Sequence, residues 1–285
     1  MDGCATNRAG TTTVLLGSEY DAGQRLLCVT QPQTDCTFDL AYNSTASAAV
    51  VEVHAFVDAI ERIASNVVRL TLELADQQWL DFSPGQYLQV TVPGVGVLRS
   101  YSPSSTAIEL PRVEMLIRLQ PGGAMSNWLL NEAQPDDVLT LQGPHGSFFL
   151  RDHRRAPHIF VAGGTGLAPV MSMIDGIRQW GGRKPPILLS FGCATPEALF
   201  CLDDLALRRQ WMPTLETRVC VDHGASGDQI AGNPVTALRE GDVTSPDTVA
   251  YLCGPQPMID AARARLIELG VAPDNIHSEL FTPSH

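Results

Sequence analysis

A chain of 285 residues is long enough for two hydrophobic cores and a small appendage. A formal net charge of −12 excludes non-specific binding to nucleic acid, and 44% hydrophobic residues fit a globular protein rather than a disordered one. No apolar run approaches the roughly 20 residues of a membrane span, and no basic stretch leads into an apolar one at the start, so the sequence predicts a cytoplasmic protein with no membrane partner. Seven scattered cysteines read as reduced thiols rather than a disulfide framework.

In chain order, residues 1–45 carry short strand-like runs ("TTTVLL", "RLLCVT", "CTFDLAY") and end in the small, polar "NSTASAA", a linker. Cys4 sits in what reads as a Gly-Ala-Thr turn. Residues 50–152 alternate apolar and polar positions between Pro and Gly punctuation: "AVVEVHAFVDAIERI", "VVRLTLEL", "QYLQVTVPG", "VEMLIRLQ" and "VLTLQGPHG". This pattern predicts an antiparallel barrel interrupted by one helix, "MSNWLLNEA". From residue 153 to 285 strands alternate with helices: "HIFVAGG", then "LAPVMSMIDGIRQW", then "PILLSFG", then "PEALFCLDDLALRRQ". "TLETRVCVD", "TVAYLCGP" and "PMIDAARARLIEL" continue the alternation. Such order predicts a doubly wound α/β domain with a parallel sheet.

Within "FVAGGTGLAPV" an apolar strand runs through Gly163-Gly164-Thr165-Gly166 into a helix with Pro169 in its first turn. Glycines let backbone N–H groups approach a phosphate, and the helix end supplies positive partial charge. The same residues also suit any strand-to-helix junction, since the spacing is not G-x-G-x-x-G. In "VLRSYSPSS", Arg99 and Tyr101 alternate on a strand and share one face, with Ser100 and Ser102 on the other. An arginine can grip a pyrophosphate and a tyrosine can stack on a flat cofactor; an ordinary surface strand reads the same way.

Order decides between the readings. "FSPGQYLQV", Arg-x-Tyr-Ser, "QPGGAMSNWL", "GPHGSFFL", "GGTGLAPV" and "YLCGPQPMI" follow one another at domain-like distances over residues 50–281. That set resembles the ferredoxin–NADP reductase superfamily, and more narrowly the reductase components of benzoate- and toluate-type ring-hydroxylating dioxygenases. The resemblance implies FAD and NADH as cofactors, hydride transfer from NADH to FAD, and single electrons passed to an oxygenase component or an external ferredoxin. It implies that Arg99, Ser100, Tyr101 and Ser102 form the flavin motif, with Tyr101 on the ring and Ser102 near its N5. Gly123, Met125 and Ser126 would receive the FAD pyrophosphate. Gly164, Thr165 and Gly166 would bind the nicotinamide nucleotide, and Gly254, Pro255 and Met258 would shape its site. Cys253 would lie beside the nicotinamide, Glu279 near the flavin edge, and Phe281 over the flavin. Ser102, Cys253 and Glu279 are the catalytic candidates.

In that family a plant-type ferredoxin domain precedes the flavin domain, with ligands spaced C-x4-C-x2-C…C. Cys4 and Cys28 match two ligand positions, but Asn7 stands at the third. The expectation is a ferredoxin remnant with no [2Fe-2S] cluster and no other metal. After the second α/β strand, Gly192-Cys193-Ala194-Thr195-Pro196-Glu197 offers no cation to a 2′-phosphate, while Arg183 and Lys184 precede the strand at its far end, so NADH is expected over NADPH. Two alternatives stay open: an NADH-dependent reductase of free flavin or quinone, and a degenerate, non-catalytic paralogue.

Overall fold

The computed structural model describes residues 5–7, 23, 25, 30–38 and 48–281. The chain divides into two compact units, Met1–Ser47 and Ala48–His285. In the first, β1 (Ala5–Asn7) pairs antiparallel with β2 (Thr30–Pro32), Ala5 opposite Pro32 and Asn7 opposite Thr30. The turn expected through Ala5 and Thr6 is therefore extended backbone. Its N–H and C=O groups find partners across the pair, which a local turn would have left to solvent. Cys4 and Cys28 lie outside the described residues, as do the "TTTVLL" run and most of "RLLCVT".

The second unit begins with six antiparallel strands: β3 (Val51–Ala64), β4 (Val67–Leu74), β5 (Tyr87–Thr91), β6 (Leu98–Tyr101), β7 (Arg112–Arg118) and β8 (Val138–His145). Their order is β6-β5-β8-β3-β4-β7, and a bridge between Pro103 and Met115 joins the two ends into a barrel. Alternation does the sorting. On β3, Val53, Ala55 and Val57 are buried while Glu52, His54 and Phe56 face out. Inward residues of the other strands, among them Leu70, Leu72, Leu88, Val90, Leu139 and Leu141, complete the core. Helix α1 (Ala124–Asn131) packs Met125, Trp128 and Leu129 against it.

Six parallel strands follow: β9 (His158–Gly163), β10 (Ile187–Cys193), β11 (Leu215–Val221), β12 (Ile230–Ala231), β13 (Val249–Gly254) and β14 (Ile276–Leu280). Helices α2 (Leu167–Gln179), α3 (Leu202–Trp211) and α4 (Gln256–Glu268) connect them. The order β12-β11-β10-β9-β13-β14 reverses direction at β9. Strand order that reverses opens a crevice at the carboxyl ends of the central strands, where α/β sheets bind ligands. The central strands are buried on both faces, which explains their unbroken apolar runs.

One helix is shorter than its sequence suggests. "PEALFCLDDLALRRQ" forms a 3₁₀ turn at Pro196–Ala198, and α3 starts only at Leu202, after Cys201 at φ +57°. Leu199, Phe200 and Cys201 are all buried, with Phe200 edge-on to Phe191 at 5.4 Å. Three successive helical residues would point about 100° apart and could not all reach one core. The two-residue β12 was not legible as a strand at all.

The barrel and the parallel sheet are joined through α2. Ser172 Oγ donates to the Ser105 carbonyl at 2.7 Å, and Gln179 Nε2 donates to Thr106 Oγ1 at 2.9 Å. Gly176 leaves room for Pro84, whose Cγ would lie 2.9 Å from any Cβ added there. Arg69 of β4 meets Asp204 of α3 at 2.5 Å. No helix of the described residues is long and apolar enough to cross a membrane.

Candidate functional site

The crevice at the switch point is walled by glycine. Gly164 takes φ +54°, a conformation costly for residues with a Cβ, and nothing lies within 4 Å of where its Cβ would be. Its face is open to a ligand. Gly166 is closed in: an added Cβ would sit 2.2 Å from the Cys253 carbonyl oxygen. The loop after β9 therefore rests directly on the end of β13. Met258 of α4 fills the angle between them, its Sδ 2.8 Å from the Cβ position of Gly163 and its Cε 2.8 Å from that of Gly254. Gly164, Gly166, Gly254, Pro255 and Met258 thus come together, and buried Thr165 lies in the 3₁₀ turn Gly164–Gly166. Met258 is used in holding the two loops together.

Cys193 at the end of β10 takes a hydrogen bond from the Gly164 N–H, and burial raises its thiol to about 12. Arg118, at the end of β7, acts on the same thiol from the barrel side. The sequence reading missed Arg118, whose approach depends on how the barrel docks.

Across the crevice lies β6. Arg99 and Tyr101 share the less exposed face and Ser100 the outer one, as alternation requires. Leu88 of β5 pairs with Tyr101 and Val90 with Arg99. Tyr101 rests against the barrel core, and burial lifts its hydroxyl to about 12 against the pull of Arg99. Arg99 Nη1 donates to the Leu98 carbonyl at 2.9 Å.

Gly123 precedes α1 as its N-cap. Met125 is buried in the core and Ser126 Oγ accepts from the Gln120 N–H at 2.8 Å, so both side chains serve the fold. What they leave for a ligand is backbone: the first N–H groups of a helix have no partner within it and attract anions.

Where barrel and sheet meet, polar atoms converge. Ser102, just past β6, is buried, and its Oγ makes no hydrogen bond. Glu279 of β14 stands in register with Cys253 of β13. Burial raises the Glu279 carboxyl to about 8, although the nearby Ser102 hydroxyl favours its charged form. Glu279 Oε2 likewise makes no hydrogen bond. Cys253 is fully buried, which pushes its thiol well above the usual range, helped by the Glu279 charge. Phe281 continues the strand pairing through its N–H to the Gly254 carbonyl at 3.3 Å and packs on the same core.

A further residue joins them. His145 of β8 pairs with Tyr87 of β5, their rings stacked at 5.4 Å, and its Nε2 is buried without a hydrogen-bond partner. Native structures rarely strand buried polar atoms, so Ser102 Oγ, Glu279 Oε2 and His145 Nε2 mark a place where a polar ligand belongs. The donor-and-acceptor edge of a flavin fits that set. Among the described residues no group of His, Cys, Asp or Glu is placed to hold a metal ion.

An antiparallel barrel with an anion-attracting helix end, facing a parallel sheet with a glycine-lined crevice, defines a flavin- and nicotinamide-dependent oxidoreductase. Residues 54–150 match the oxidoreductase FAD-binding domain and residues 160–264 the oxidoreductase NAD-binding domain. The chain belongs to the ferredoxin reductase family. It is 39% identical over 256 residues to methane monooxygenase component C of Methylosinus trichosporium, covering 83% of this chain and 75% of that one. To the toluate 1,2-dioxygenase electron transfer component of Pseudomonas putida it is 31% identical over 268 residues, covering 94% and 79%. The crystal structure of a cytochrome P450 reductase from Amycolatopsis superposes with a TM-score of 0.81 at 28% identity, covering 99% and 86%. The expected fold and the flavoprotein oxidoreductase class both stand.

Proposed function

We propose that this chain is the NADH-oxidising electron-transfer component of an oxygenase system, working in the cytoplasm and delivering electrons to an oxygenase component or an external ferredoxin. The convergence of Ser102 from the barrel with Cys253 and Glu279 from the sheet carries this reading. Two relatives are named as oxygenase components, and the five cysteines described are free thiols, as suits a reducing compartment.

FAD, when bound, supplies a ring that accepts hydride as a pair of electrons and releases them singly. Tyr101 would offer its ring to that of the flavin, while Arg99 and the N-terminus of α1 (Gly123 to Ser126) would neutralise the pyrophosphate. Ser100 is the outer residue of that strand, able to offer its backbone to the cofactor. Gly164, Thr165 and Gly166 receive the phosphates of NADH. Gly254, Pro255 and Met258 would shape the nicotinamide site, and Phe281 would cover the flavin. Cys253 stays a neutral thiol, so its part is contact and not nucleophilic attack. Glu279, held protonated at neutral pH, donates a hydrogen bond beside that of Ser102.

Purified protein should be yellow, with one FAD, and bleach anaerobically on NADH. Tyr101→Ala and Arg99→Ala should each weaken FAD binding about 10- to 100-fold, the equivalent of one lost stack or one charge-assisted pair. Stoichiometric FAD retained by both variants through gel filtration would remove the assignment.

NADH is the reductant in this reading. Glu197 is fully exposed, and its own N–H and Thr195 lower its carboxyl, so a negative charge stands where a 2′-phosphate would arrive. Arg118 acts at Cys193, beside the phosphate loop. We expect kcat/KM for NADH to exceed that for NADPH by about tenfold or more; the reverse order would refute the argument from residues 192–197.

A further inference from the structure

Hydride carries one proton and two electrons. An enzyme that takes hydride and passes on electrons alone therefore leaves one proton behind at each turnover: NADH gives NAD⁺, H⁺ and two electrons, and two one-electron acceptors remove only the electrons. This inference rests on the function proposed above. Glu279 is the carboxyl in the pocket able to hold that proton, but its carboxyl is enclosed. Cys253, in register beside it, is fully buried, and Phe281 is apolar. Neither leads out.

The way out lies along β8. Gly146 follows His145 and is itself exposed. The Cβ it lacks would lie 3.7 Å from Glu279 Oε1 and 3.0–3.1 Å from the ring of Tyr87. Tyr87 and the Glu279 carboxyl thus flank one glycine, and His145 is the next residue, stacked on Tyr87 with an interplanar angle of 25°. Gln86 Nε2 donates to the Gly146 carbonyl at 3.2 Å and fixes the turn. The His145 ring is half-buried, yet its Nε2 lies inside without a partner, as does Glu279 Oε2. An imidazole can accept a proton at one nitrogen and release another from the second. Of the groups that face Glu279, Cys253 comes from β13 and Ser102 from the end of β6; the β8 side offers Gly146 and, beside it, His145.

We propose that His145 is the solvent-side relay that carries the Glu279 proton out of the flavin pocket. The proton passes from Glu279 to the inward nitrogen of His145, and the opposite nitrogen releases one to water; no electrons move in this step.

The test uses His145→Gln in the FAD-loaded enzyme with two acceptors. Ferricyanide takes electrons only, whereas a benzoquinone takes electrons together with protons. Turnover on ferricyanide should fall about tenfold or more and recover in imidazole buffer, while turnover on the quinone falls less than about twofold. Independently, when ferricyanide oxidises the NADH-reduced enzyme in a single turnover, proton release to a pH-indicator dye should keep pace with flavin reoxidation in the wild type and lag about tenfold behind it in His145→Gln. Equal losses on both acceptors, or proton release in step with reoxidation in His145→Gln, would overturn the relay. A wild-type protein that retains no FAD would instead overturn the functional reading, and the relay with it.

Discussion

Replacing Gly166 with alanine is expected to slow reduction by NADH about 100-fold while leaving FAD in place. Gly166 has φ −58°, which any residue adopts, so the effect is purely steric. The new methyl would sit 2.2 Å from the Cys253 carbonyl oxygen and 2.7 Å from its carbon. Both are backbone atoms of a strand paired on each side, β13 between β9 and β14, so neither can swing away as a side chain would. The loop must lift off the strand end. Overpacking of this kind costs about 1–3 kcal/mol of stability. The larger loss is geometric, because in the proposed function the loop holds the dinucleotide and Cys253 borders the reacting ring. A displacement near 1 Å there is worth roughly 100-fold in rate. Anaerobic stopped-flow reduction should slow by about that factor, with FAD content unchanged. Gly164→Ala is the contrast: open space awaits its methyl, and only the positive φ is costly, about 1–2 kcal/mol. Reduction of the Gly166 variant within twofold of wild type would mean that the loop and strand separate freely, and the closed crevice would lose its role.

What the sequence disclosed and what it hid divide by range of interaction. Strand alternation on β3 and the Arg99–Tyr101 pair depend on residues two apart, and both were legible. The glycine loop after β9 was legible for the same reason. The consequences of pairing were not. Glu279 stands beside Cys253 because β14 joins the sheet next to β13 in one particular register. A slip of one residue would turn the carboxyl to the other face. His145 meets Tyr87, 58 positions earlier, through the β5–β8 ladder, and no local pattern announces it. Tyr87 and His145 lie within "SPGQY" and "GPHG", whose prolines and glycines read locally as turns. Met125 and Ser126 show the converse. The resemblance placed them at a phosphate, yet their side chains are used in the core and in closing the loop at Gln120, leaving the N–H groups for the ligand. The break before α3 had a readable cause, three successive apolar residues, though the helical spacing downstream concealed it.

The second large effect concerns acid. His158 and His277 lie in a column of rings: His158 and Tyr251 are parallel at 6.2 Å, and Tyr251 and His277 lie 5.3 Å apart. Burial lowers both imidazoles to about 4, only partly offset at His158 by the Ala156 carbonyl, and reinforced at His277 by Arg151, His153 and Arg263. In the unfolded chain each titrates near 6.5. Between about pH 4 and 6.5 the unfolded chain therefore binds two protons that the folded one refuses, and stability falls as pH drops through this window. Glu279 works the other way. Its folded value of about 8 lies above the unfolded one, so the folded protein holds an extra proton from about pH 4.5 to 8 and stability falls as pH rises. Below pH 6.5 two histidines oppose one carboxyl, a net gain of one proton on unfolding. Above it the carboxyl acts alone. Stability should peak near pH 6.5 and decline on both sides by about 1.4 kcal/mol per pH unit, a large share of the roughly 5–15 kcal/mol that holds a domain. Urea titrations at pH 5, 6.5 and 8 measure it. His158→Phe, which keeps the ring stack, should flatten the acid limb. Glu279→Gln should abolish the alkaline decline and steepen the acid one to about twice its slope. A profile flat from pH 5 to 8, or one whose acid limb survives in His158→Phe, would show that the imidazoles gain protons without leaving the sheet and that the ring column yields to charge.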